Sequence, residues 1–116
     1  MKGRAMKVSD LEKVKGLEAV YPGYADGDVF YGYTSDLLSD VMGNAREKSV
    51  LITIQAHKNT IAVARLVGMN AIVLCNGREA PDDMVEAAKA NSIALFATDN
   101  DQFIVSYLIA VKLRGE

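Results

Sequence analysis

Val50-Leu51-Ile52-Thr53-Ile54, Ala71-Ile72-Val73-Leu74-Cys75 and Ile93-Ala94-Leu95-Phe96-Ala97 decide the fold class. Each is a short, nearly unbroken apolar run. Such runs lack the in/out alternation of a half-exposed strand and suit strands buried on both faces of a parallel sheet. They recur about every 20 residues, with a helical pattern after each. Residues 59–67 are apolar almost all round apart from Arg65. Pro81 fits the first position of a second helix, where Asp82 and Asp83 favour the positive end of the dipole. Thr98-x-x-Asp101 caps a third helix carrying Phe103, Ile104, Tyr107, Leu108 and Val111, with Lys112 and Arg114 at its negative end. A strand, a helix and a strand at this spacing imply right-handed crossovers between adjacent parallel strands.

Upstream, the same logic gives shorter elements. Leu37, Leu38, Val41, Met42 and Ala45 share one face of a helix capped by Thr34 or Ser35, with Asp36, Ser39, Asp40 and Asn44 on the other. Val29, Phe30, Tyr31 and Tyr33 favour a strand within 26–33, weakened by Gly27 and Gly32. Residues 17–21 alternate like a short strand before the Pro22-Gly23 turn. Ser9 and Glu12 form a capping-box pattern for a helix over 9–15. The class is α/β: a single three-layer domain with a mostly parallel sheet of four to five strands. Residues 1–6, with Met6 as an alternative start, are set aside as an N-terminal arm, leaving 7–116 as the domain.

Composition narrows the function classes. In 116 residues, 13 Lys and Arg stand against 15 Asp and Glu, for a net charge of −2. No basic stripe is present to neutralise a run of phosphates, which argues against nucleic-acid binding. The lone Cys75 excludes an intrachain disulfide and fits a reducing compartment. No apolar run approaches the roughly 20 residues of a membrane span, and no signal peptide is visible, so the expected location is the cytoplasm. A domain this small gains stability from added buried area, which makes a homodimer the expected assembly. Tyr21, Tyr24, Phe30, Tyr31 and Tyr33 form an aromatic group that either packs the short strands or meets a partner.

In an open parallel sheet, ligands bind beyond the carboxyl ends of the strands, where helix N-termini point spare amides outward. The turns there carry Ser35, Asp36, Gln55, His57, Asn59, Asn76, Arg78 and Thr98, which share one rim if the strands are neighbours. The 55–60 turn is the richest. Asn59 and Thr60, with the helix amides, can hold a small polar or phosphate-bearing ligand, or Asn59 can simply cap the helix. His57, the sole histidine, is either a proton shuttle or an exposed side chain. Gly77 is expected at positive φ in a tight turn. Arg78 is either an anion clamp or a structural pin to Glu79 or Asp83. Asp36 and Asp40, one helical turn apart, are a solvated acidic face or a weak divalent-ion pair. Cys75, ending a buried strand, reads as core. No second histidine or thiol completes a zinc site, so neither metal nor cofactor is expected. The P-loop, the dinucleotide-binding glycine motif and the G-x-S-x-G elbow are all missing.

Tyr31-Gly32-Tyr33-Thr34-Ser35-Asp36-Leu37-Leu38-Ser39-Asp40-Val41-Met42, Ile52-Thr53-Ile54-Gln55-Ala56-His57 and Asn76-Gly77-Arg78-Glu79 together resemble stand-alone DRTGG-domain proteins of anaerobic bacteria. The resemblance runs from about Val8 to Leu113, and the Asp-Arg-Thr-Gly-Gly string itself is absent. The family is similar to the N-terminal domain of HPr kinase/phosphorylase. It also occurs as an accessory domain in phosphate acetyltransferases and beside CBS domains in some inorganic pyrophosphatases. The resemblance implies a regulatory or dimerising module with no catalytic residues. A link to redox metabolism is also implied, because such members are often encoded near iron-only hydrogenase components.

The expected function is therefore a non-catalytic regulatory or ligand-sensing homodimer. Its ligand, small and phosphate-bearing or a nucleotide, or else a protein partner, meets the rim at Ser35, Asp36, Gln55, His57, Asn59, Thr60, Asn76, Arg78 and Thr98. The alternative is a small enzyme acting on a phosphorylated or nucleotide substrate with His57 as acid/base and Arg78 as clamp. A purely structural dimerisation domain, with the rim residues as caps, is the third reading.

Overall fold

The computed structural model describes residues 6–115. The apolar runs form β5 (Ser49–Thr53), β6 (Ala71–Leu74) and β7 (Ala94–Ala97), buried almost throughout. They lie between β4 (Tyr31–Thr34) and the two-residue β2 (Glu18–Ala19) in the order β2-β7-β6-β5-β4. β4, β5, β6 and β7 are mutually parallel, and β2 runs antiparallel along β7. A second, two-stranded sheet pairs β1 (Met6–Lys7) with β3 (Asp28–Val29).

Strand order follows chain order from β4 to β7, so each crossover steps the same way across the sheet. Right-handed crossovers then place α1 (Leu38–Asn44), α2 (Lys58–Val67) and α3 (Asp82–Ala90) on one face. The alternation of the strands confirms it. Leu51, Ile72, Leu74 and Leu95 pack with Val41, Ile61, Ala64, Met84 and Ala88. Val50, Ile52, Val73 and Phe96 point the other way, into a core with Val8, Leu11, Val105 and Ile109. That second layer is a 3-10 helix (Val8–Lys13) and α4 (Gln102–Leu113). The architecture is the expected three-layer α/β domain with five strands.

Several local readings are corrected. The strand expected within 26–33 is two strands in different sheets, with Phe30 between them. The first helix is a 3-10 helix, and Ser9 does not cap it with Glu12. The Lys7 amide donates to Asp10 instead, while Asp26 accepts from the amide and hydroxyl of Ser9. α1 follows Leu37 without a side-chain cap from Thr34 or Ser35. Met6, placed with the arm on sequence grounds, is 5% exposed and paired in β1; residues 1–5 lie outside the described residues. The aromatic group is dispersed. Tyr21 donates to the Ile93 carbonyl, Tyr24 meets Phe96 edge-on at 5.5 Å and Glu12 through its hydroxyl, and Tyr33 donates to Asp40. Among the described residues no helix is long and apolar enough to cross a membrane.

Candidate functional site

All nine rim residues lie at or just beyond the carboxyl ends of the parallel strands, but the structure divides them into two groups.

The first is a corner built on Asp36. The β4–α1 loop turns this side chain back over the end of β5. Its Oδ1 accepts from the Thr53 hydroxyl at 3.0 Å, the Ile54 amide at 2.9 Å and the Gln102 side-chain amide at 3.0 Å. Gln55 returns the link by donating to the Asp36 carbonyl at 2.9 Å. One carboxylate thus joins the β4–α1 loop, β5 and the start of α4. The Thr60 hydroxyl, fully buried, donates to the Gln55 carbonyl at 2.8 Å and fixes the 55–60 turn from inside. Ser35 accepts from the Leu37 amide. These polar groups bond to one another, and such a corner rigidifies its surroundings.

At the corner's margin, His57 is the N-cap of α2. Its Nδ1 accepts from the Asn59 amide at 3.0 Å. The cap is His57, and the expected cap by Asn59 is corrected. The spacing explains the exchange, because a cap acceptor must lie two or three residues before the amide it serves and the helix begins at Lys58. An Nδ1 that accepts carries no proton, which commits one ring nitrogen to structure. Asp40 does not join Asp36. The Tyr33 hydroxyl, with Ser35 and Asn44, holds its carboxyl below the ordinary carboxylate range. Among the described residues no group of three or more His, Cys, Asp or Glu side chains is placed to hold a metal ion.

The second group surrounds an open cleft of about 630 Å³ towards the other edge of the sheet. Asn76 and Gly77 both adopt positive φ, 62° and 68°, and the Arg78 amide closes the turn on the Cys75 carbonyl. This is the chemistry of an Asn-Gly type I′ turn. Asn76 and Gly77 also donate to the carbonyls of Asn100 and Thr98, both at 2.9 Å, locking the turn to the β7–α4 loop. The cleft opens between that turn, Thr98 and Asp99, and the β2 segment with Gly16, Glu18 and Val20. Thr98 itself is nearly buried, and its hydroxyl accepts from the Asn100 amide. Arg78 does not pin Glu79 or Asp83: the ion pairs among the described residues are Lys7–Asp28 and Lys13–Asp10. Cys75, just before the turn, is fully buried in the core, and burial pushes its thiol up to about 11, which disfavours the reactive thiolate.

Of the residues lining this cleft, the sequence reading names Arg78 and Thr98 but not the opposite wall. Gly16, Glu18 and Val20 reach the rim only because β2 pairs antiparallel with β7, and a two-residue strand carries no pairing signal. Gly16 was visible as a helix stop. At φ 89°, and with an added Cβ falling 2.9 Å from the Asn100 side chain, it is also a close-approach position.

No family model matches the chain, and neither does any curated protein. Among solved structures it is similar to the CBS and DRTGG domains of the regulatory region of Clostridium perfringens pyrophosphatase, solved in complex with the activator diadenosine tetraphosphate. The TM-score is 0.67 at 16% identity, over 88% of this chain. The chain spans 45% of the length of that solved chain. Likeness at this identity shows the fold: a DRTGG-like α/β domain, as the sequence resemblance implied.

Proposed function

We propose that the chain is a non-catalytic regulatory module that senses a small phosphate-bearing or nucleotide ligand, works as a homodimer, and receives the ligand in the Arg78–Thr98 cleft. The observation that carries this reading is the contrast between a closed polar corner at Asp36 and an open cleft at Arg78. A cleft of about 630 Å³ falls within the roughly 300–1,000 Å³ typical of small-molecule sites. Arg78 supplies a forked donor for one phosphate. Glu18, Glu79, Asp82 and Asp99 line the same cleft. They suit ribose hydroxyls and base amino groups and oppose a bare polyphosphate, so a mononucleotide fits better than inorganic triphosphate. The regulatory character of the solved relative supports the same reading.

Thermal shift with AMP, ATP and inorganic phosphate tests it on wild type, Arg78→Ala and His57→Ala. A ligand at 100 times its Kd stabilises by about 2.7 kcal/mol, a shift of several degrees. The shift is expected for a mononucleotide, lost in Arg78→Ala and kept in His57→Ala. A shift lost only in His57→Ala moves the site to the 55–60 turn. No shift with any compound leaves a structural domain, and nucleotide turnover abolished by His57→Ala replaces sensing with enzymatic chemistry.

A further inference from the structure

At the β4 edge, α4 carries an apolar face that its own domain leaves uncovered. Phe103 is 79% exposed, Tyr107 62% and Ile104 41%, and Leu37 in the β4–α1 loop is 64% exposed. The face is continuous across two elements. Gln102 donates to Asp36, which sets Phe103 and Leu37 either side of one hydrogen bond. Thr34 and Ser106 hydroxyls meet at 2.7 Å, fixing the middle of α4 along β4. β4 ends the five-stranded sheet, so the patch borders an open strand edge. The two rings alone expose on the order of 300 Å², and Leu37 and Ile104 carry the patch past the few hundred Å² usual for a monomer.

We infer that this α4 face, beside β4, is the surface through which two copies of the chain associate, α4 packing on α4. Area points to a second copy, and the uncharged middle of the patch admits one. Doubled across a two-fold axis and given a polar rim, the patch reaches about 1,200 Å², the lower end of specific interfaces. Its middle is neutral, with Gln102, Ser106 and Thr34 between the apolar side chains, so two copies bring no like charges together there. Asp101 and Lys112 lie off this face: the Asp101 carboxylate accepts from the Ile104 amide as the α4 cap, and Lys112 borders Lys13 and Val14 on the far side of the helix. Phe103 and Tyr107, one helical turn apart, then interleave with their symmetry mates. This rests on the homodimer reading above and not on the ligand cleft.

Sedimentation equilibrium of the full chain over about 1–200 µM, a range bracketing ordinary interface affinities, tests it. Wild type is expected at twice 12.5 kDa. The double variant Phe103→Glu, Tyr107→Glu is expected to raise the dimer dissociation constant roughly 30-fold or more. Leu66→Glu, equally exposed but on α2, is expected to leave it unchanged. Concentration-dependent hydrogen exchange of wild type, slower in α4 at high concentration, reads the same surface without a substitution. A monomer throughout the range overturns the homodimer reading. A dimer that survives the double variant, or whose α4 exchange ignores concentration, overturns this surface while leaving the homodimer standing.

Discussion

Asp36 and Arg78 stand at the same level of one sheet, each just after a strand, and the fold uses them in opposite ways. Asp36 is turned inward and spends an oxygen on three donors from two other elements. Arg78 sits on a rigid turn, joins neither ion pair among the described residues, and borders open space. The difference comes from the neighbours. β4 is packed by α4 and the end of β5, so a side chain returning from its loop meets donors. β7 is followed outward only by the two-residue β2, too short to fill the space above it. A polar rim residue is thus structural or available according to what lies across from it, not according to its type.

The sharpest way to break this comparison is Asp36→Ala. Removing an acceptor of three hydrogen bonds in a half-buried corner is expected to cost about 2–4 kcal/mol, read as a drop in the urea midpoint at unchanged slope. Asp36→Asn, which keeps one acceptor oxygen, is expected to recover part of it. A loss below about 0.5 kcal/mol, the range of ordinary surface changes, would mean the corner is not a structural joint. On the cleft side the backbone, not the side chain, carries the stability. Gly77→Ala forces a Cβ onto a positive φ and to within 3.2 Å of Asp99 Oδ1, at an expected cost of about 1–2 kcal/mol. If its thermal midpoint matches wild type, the turn is not as fixed as its hydrogen bonds imply.

Smaller effects sharpen the assignment. His57→Ala removes the α2 cap and is expected to cost about 0.5–1 kcal/mol, whereas His57→Asn keeps a cap acceptor and stays near wild type. Chemical denaturation of the pair separates a cap from a proton carrier, because Asn cannot shuttle protons. Arg78→Ala is expected to change stability by less than about 0.5 kcal/mol while abolishing the mononucleotide shift. An Arg78→Ala protein as destabilised as Asp36→Ala would erase the distinction between the two halves.

Much of this was legible in the residues. The three apolar runs at regular spacing gave the parallel core, and Asn76-Gly77 gave a positive-φ turn at the place where it is found. The Asp36 corner was legible only as a list of polar residues. Nothing local to Asp36 says that it will meet Thr53 or Gln102, which lie 17 and 66 residues away. The His57 cap was missed because histidine ranks low among caps, and the helix starts one residue earlier than its apolar pattern.

By itself the sequence determined the class, the parallel order of its strongest strands and the end of the sheet where polar groups gather. Those follow from local periodicity and turn chemistry, which act over a few residues. Only the tertiary structure decided which rim residues are consumed by the fold and which face a cleft, and it left the α4 face uncovered. Those outcomes depend on β2 pairing beside β7 and α4 crossing back to β4. Such contacts join residues distant in the chain, and no short-range pattern encodes them.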